Sequence, residues 1–236
     1  MAAGTQTEAV PVGAMPNTQV EVRARRSGGI SNNAVVQMVC RAMQRRELLG
    51  ERLVDVGCGT GNLYPHVRAY VSRYVGVDAV RYEGFPCEAE FCQLDLDTGE
   101  IPLAPASADI GTAVEVIEHL ENPRDFVRKL VRLAKPGGWV IVTTPNQLSL
   151  LSLLTLVMKQ RFLAFQDVHY PAHLTALLEV DLVRIAKECG LVAIEIEYSL
   201  QSRIPLTARH YPTSVSRCCP RALSENVLVI GRKPAT

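Results

Sequence analysis

The chain has 236 residues, 47% of them hydrophobic, and its 25 Lys and Arg against 24 Asp and Glu leave a net charge of +1. That length suits one domain with additions and a full core, and the balanced charge excludes a global field that would draw the chain onto nucleic acid or an anionic membrane. Seven cysteines without regular spacing argue against a disulfide scaffold and for a reduced, cytoplasmic protein, with the neighbouring Cys218 and Cys219 read as ordinary thiols.

Met1 to about Gly29 is broken by Pro11, Pro16 and Gly28-Gly29 and has no basic cluster followed by an apolar block, so it reads as a mobile tail without a signal peptide, ahead of one domain over 30–236. From Ile30 to about Leu49, Val35, Val36, Val39 and Met43 recur at helical spacing, with Ser31 and Asn32 as caps and Gly50 as a stop. This helix is expected to cover a cleft from the N-terminal side. Strands and helices then alternate. A strand over Arg52–Val56 precedes a helix from Asn62, and further strands are expected at Arg73–Val77, Glu90–Leu94 and Ala108–Val114. Asn122-Pro123 opens a helix that runs to Ala134, Pro136-Gly137-Gly138 makes a turn, and Trp139–Thr144 is another strand. A last helix, Glu179–Cys189, ends at Gly190, and strands at Val192–Tyr198 and Asn226–Gly231 close the chain. Such alternation gives a mostly parallel sheet with helices on both faces, an α/β Rossmann-like fold whose ligands bind beyond the carboxyl ends of the strands.

Leu53 to Gly61 reads L-V-D-V-G-C-G-T-G, a short apolar strand ending in an acid and then Gly57, Gly59 and Gly61 at alternate positions. A backbone that must turn sharply beneath a ligand and offer it bare N–H groups uses glycine there, because a Cβ would collide. No G-K-[ST] follows, which excludes a triphosphate loop. The second strand closes on Asp78, about twenty residues on, where a carboxylate can accept both hydroxyls of a ribose.

This D-x-G-x-G-x-G pattern resembles the class I S-adenosylmethionine (SAM) dependent methyltransferases, and the stretches F-C-Q-L-D (91–95), V-E-V-I-E-H-L (114–120) and L-A-K-P-G-G-W-V-I-V-T-T-P-N (133–146) follow in that family's order. The resemblance implies a seven-stranded sheet whose last strand is antiparallel, and SAM as cofactor. It implies Asp55 near the methionine ammonium, the glycine turn under methionine and ribose, Asp78 at the ribose, Asp95 and the backbone of Leu96 at the adenine, and Val114 at the end of the fourth strand.

Methyl transfer from a sulfonium is an in-line displacement with a good neutral leaving group, so the enzyme must align the acceptor and, for a hydroxyl, remove its proton. Glu115, Glu118 and His119 lie where that is done, with the two glutamates one helical step apart. His119 and Glu118 are the catalytic candidates. Glu115, Glu118, His119 and the later His173 also form a candidate O/N ligand set for Mg²⁺ or another divalent metal. The ubiquinone-biosynthesis O-methyltransferases share E-x-x-E-H with this chain, as do the small-RNA terminal 2′-O-methyltransferases, which add a later histidine placed like His173. A packed, hydrogen-bonded histidine is the competing reading of His173, and a cap or a place beside SAM that of Glu115.

Between Asn146 and Glu179 an insertion over about 147–178 carries Ser149, Ser152 and Thr155 three apart among leucines, read as a lid over an apolar pocket or as a helix buried in the core. Its apolar run, Leu148–Met158, is too short to cross a bilayer. Gln201–Leu223 holds Arg203, Arg209, His210, Arg217 and Arg221 without an acid, suiting either a solvated loop or a site for phosphate, carboxylate or a lipid head group. The leading expectation is O-methylation of a small hydroxylated, apolar or lipid-like acceptor. Metal-dependent RNA 2′-O-methylation and a non-catalytic SAM-binding partner protein stand beside it, and peripheral membrane contact stays open.

Overall fold

Strands of mostly Val, Leu and Ile need both faces covered, and the computed structural model, which describes residues 19–235, shows how this is done. The strands are β1 (Gly50–Val56), β2 (Val71–Asp78), β3 (Glu90–Gln93), β4 (Ala108–Val114), β5 (Ala134–Pro145), β6 (Val192–Tyr198) and β7 (Asn226–Arg232). They form one seven-stranded sheet in the order β3-β2-β1-β4-β5-β7-β6. β1 to β5 pair in parallel, while β7 runs antiparallel between β5 and β6.

Successive residues of β1 point to opposite faces, so Leu53 and Val54 enter different cores. On the Leu53 side, helix α2 (Asn33–Arg45) packs Val35, Met38, Val39 and Met43 with Ile110, Ile141, Leu228 and Ile230. On the Val54 side, α4 (Pro123–Leu133) and α6 (Glu179–Glu188) bury Phe126, Leu130, Leu182 and Ile185 with Val75, Val140, Val142 and Val229. The caps follow the sequence: Asn32 Oδ1 accepts from Ala34 N, and Asn122 Oδ1 accepts from Asp125 N with Pro123 in the first turn. Among the described residues no helix is long and apolar enough to cross a membrane.

Three expectations are corrected. Residues 1–18 of the expected tail lie outside the described residues, but Gln19–Ser27 forms helix α1. The helix expected from Asn62 shrinks to α3 (Tyr64–Val67), since the chain must turn back at once to β2. The first helix of the insertion does not line the cleft as the expected lid. In α5 (Leu150–Lys159), Ser149 caps the helix through Ser152 N, Ser152 Oγ accepts from Leu163 N, and Thr155 Oγ1 donates back to Leu151 O. Val157 and Met158 are exposed, at 74% and 76%, so α5 is not the expected buried or pocket-lining helix.

Candidate active site

A cavity of about 300 Å³ opens where the strand order reverses, between the carboxyl ends of β1 and β4. The end where the cofactor is expected is built on the glycine turn. Gly59 sits at φ +53°, and a Cβ there would stand 2.1 Å from the carbonyl oxygen of Gly29, so only glycine allows the two backbones to touch. The closing acid is tied to the same turn: Asp78 Oδ2 accepts from Gly59 N at 2.8 Å and Oδ1 from Val80 N at 3.2 Å. Burial raises the Asp78 carboxyl, and these backbone donors oppose the rise. Asp55 is 2% exposed and pushed up to about 6, mainly by burial. Asp95, Leu96 and Val114 also line the cavity, with the Asp95 carboxylate turned into its own loop by Asp97 N and Thr98 Oγ1.

At the opposite end the chain leaves β4 through Glu115, held at φ +55° with its N–H donating to Thr143 Oγ1, and turns into a 3-10 helix only at Ile117–His119. Glu115 and Glu118 therefore do not share the helical face that their spacing suggests. Glu115 Oε1 accepts from Asn226 Nδ2 at 2.7 Å, and Glu118 Oε2 accepts from Thr144 Oγ1 at 3.1 Å. Glu118, His119 and His173 each offer a ligand atom within 4.8 Å of the other two, a grouping that does not include Glu115.

The segment that brings His173 there is pinned to the turn, because Leu174 N and Thr175 N both donate to Glu118 O. Nδ1 of His119 lies 2.8 Å from Ala172 O, and Nδ1 of His173 lies 2.6 Å from Ala164 O. A carbonyl only accepts, so in both neutral rings Nδ1 carries the proton and Nε2 is left with a lone pair. Burial lowers the pKa of His119, and burial together with His119 lowers that of His173 to about 4. Glu118 is pushed up to about 7 by burial. Two neutral imidazoles beside a carboxyl that resists ionisation make a place with base capacity and room for a positive charge.

The methyltransferase-domain family model matches residues 33–196. The chain belongs to that family. The ubiquinone biosynthesis O-methyltransferase of Burkholderia pseudomallei is 29% identical over 170 residues, covering 64% of this chain and 68% of the relative. Its counterpart in Thiobacillus denitrificans is 28% identical over 164 residues, with 64% and 69% covered. Among solved structures, a SAM-dependent methyltransferase from Archaeoglobus fulgidus superposes with a TM-score of 0.56 at 18% identity, over 84% of this chain and 94% of that one. A methyltransferase in complex with the Haloferax volcanii Trm112 activator gives 0.62 at 18% identity, over 90% and 94%. These structural likenesses show the fold.

The protein is a SAM-dependent methyltransferase. Several residues of this methyltransferase's cleft escaped the sequence reading. α2 does not line the cavity; Ala24, Ser27, Gly29, Ile30 and Ser31 ahead of it do, with Tyr82 Oη donating to Ala24 O and Thr60 N to Gly29 O. His169 lines the cavity too, its ring stacked on His173 at 5.4 Å, and the spacing H-x-x-x-H was the available signal. Thr143, Thr144 and Asn226 hold the two glutamates but lie on strands, where nothing in their spacing sets them apart. In the basic stretch, Arg203 pairs with Glu225 and Arg221 with Glu179, each at 3.5 Å.

Proposed function

We propose that the protein transfers the methyl group of SAM to a hydroxyl oxygen of a small hydroxylated acceptor. The observation that carries this reading is the grouping of Glu118, His119 and His173, each offering a ligand atom within 4.8 Å of the other two, in the cleft that Asp55, Gly59 and Asp78 also line. Burial keeps His119 neutral near pH 7, so it serves as general base. As the acceptor oxygen attacks, the S–CH₃ bond breaks, its electron pair returns to sulfur, and the hydroxyl proton passes to His119. The names carried by the curated relatives, ubiquinone biosynthesis O-methyltransferases, agree with transfer to oxygen.

The donor set of one carboxylate and two imidazole lone pairs also fits a divalent cation held by Glu118, His119 and His173. When bound, such an ion would lower the pKa of the acceptor hydroxyl. Glu115, engaged by Asn226, would act beside the set. A small acceptor is favoured over RNA because Arg203 and Arg221 of the basic stretch are already engaged by glutamates.

The test is transfer from labelled SAM to a panel of hydroxylated acceptors, with chelator and with Mg²⁺ or Mn²⁺ restored. Label on oxygen supports the proposal, and label only on nitrogen or carbon overturns it. Activity that survives chelation removes the cation and leaves His119 alone.

A further inference from the structure

The environment of Asp55 is more elaborate than a carboxylate facing a cofactor needs. Its two oxygens are each met by a hydroxyl, Oδ2 by Tyr74 Oη at 2.5 Å and Oδ1 by Thr112 Oγ1 at 2.8 Å. The donors come from the two strands that flank β1, with Asp55 in register with Gly76 on β2 and with Thr112 on β4. All three side chains are buried, at 2%, 4% and 0% exposure. The Tyr74 ring is fixed edge-on to Tyr64 at 5.2 Å and tilted against Phe85 at 6.4 Å, contacts that a phenylalanine would make equally well. Packing therefore accounts for the ring but not for the hydroxyl.

We propose that Tyr74 and Thr112 are positioning residues for cofactor binding, which hold the Asp55 carboxylate as the anion, in one orientation, for the ammonium group of SAM. The inference rests on the reading of Asp55 as the acid that faces the methionine end. The physical reason is competition. Burial favours the protonated acid, which cannot pair with an ammonium, whereas two donors aimed at its oxygens favour the anion. The other titratable groups that act on Asp55 or feel its charge are Asp78 and the Cys58 thiol, whose pKa is itself driven up by burial and by both aspartates. Among the described residues no cationic side chain acts on Asp55 to take over the task.

The experiment is calorimetric titration of S-adenosylhomocysteine into the full chain between about pH 5 and 8, for the wild type, Tyr74→Phe, Thr112→Val and Asp55→Asn. Wild-type affinity is expected to fall as pH drops through about 6. Losing one donor raises the carboxyl's pKa, so Tyr74→Phe should move the fall upward by about one pH unit. That makes Kd about fivefold weaker near pH 6, about tenfold weaker near pH 5 and within about threefold of wild type at pH 8. Thr112→Val, which keeps the shape of the side chain and removes its hydroxyl, should move it the same way by less. A Tyr74→Phe profile that coincides with wild type, or that is weakened equally at every pH, overturns the inference. If Asp55→Asn binds as tightly as wild type, the reading of Asp55 falls and the inference with it. If Asp55→Asn binds weakly while the Tyr74→Phe profile stays in place, the inference alone falls.

Discussion

Where the cofactor is proposed to bind, Asp55, the three glycines and Asp78 come from two adjacent strands and the turn after the first of them, with Gly59 N donating directly to Asp78. Where the acceptor is proposed to react, Glu118 and His119 follow β4 while His173 arrives from beyond α5, and each needs a distant partner, Thr144, Ala172 or Ala164, to hold it. One end is thus drawn mostly from β1, its turn and β2, with Thr112 and Gly29 as its distant contacts. The other is an assembly that depends on the path of a long insertion. The difference explains how a family can keep one cofactor while changing acceptors.

The sharpest way to break the comparison is Gly59→Ala. Its Cβ would meet the Gly29 carbonyl in a backbone conformation that L residues avoid, so cofactor binding should drop below detection in calorimetry. Retained binding would mean that the turn yields easily and that the cofactor end is not the rigid half. Next, His119→Ala should slow transfer by about 10²–10⁴-fold while leaving S-adenosylhomocysteine affinity unchanged, a split read from single-turnover rates beside binding. A matching loss of cofactor affinity would show that the two ends are coupled. Asp78→Ala should do the reverse and weaken cofactor binding by roughly 2–3 kcal/mol through lost charge-assisted hydrogen bonds.

The smallest effect sharpens the comparison through stability. The Glu118 carboxyl is held near about 7 in the fold against an ordinary value of 4.5, so the folded state binds a proton that the unfolded chain has released. The resulting destabilisation is absent below about 4.5 and complete above about 7. His173, held near about 4 against an ordinary 6.5, acts in the opposite sense: its contribution is complete above 6.5 and is lost as pH falls toward 4. Glu118→Gln separates the two. In urea melts with chelator at about pH 8 it should raise stability by about 1–3 kcal/mol and abolish the gain near pH 4.5, even as transfer fails. A variant less stable than wild type at both pH values would show that the carboxyl is held by packing alone.

How far the chain could be read follows the same division. The alternation of strands and helices, the caps at Asn32 and Asn122, and the bounds of Ala108–Val114 and Val192–Tyr198 were legible because periodicity and capping act over a few residues. Glu115 and Glu118 were misplaced relative to each other because helical spacing presumes a helix. Thr143 instead draws the backbone of Glu115 into a left-handed conformation before the chain turns. The leucine-rich insertion read as a lid over an apolar pocket or as a buried helix, whereas Val157 and Met158 of α5 are exposed and its serines serve as a cap and as a tie to Leu163.

By itself, the order of residues settled the α/β architecture, the glycine turn after β1 and the acid that closes β2, since each depends on backbone sterics and on hydrogen bonds between near neighbours. Only the tertiary structure decided that β7 lies between β5 and β6, that residues 24–31 wall the cofactor end, and that Glu118, His119 and His173 converge without Glu115. Those outcomes turn on which carbonyls and threonines lie opposite each group once distant segments pack, and a linear pattern carries no record of that.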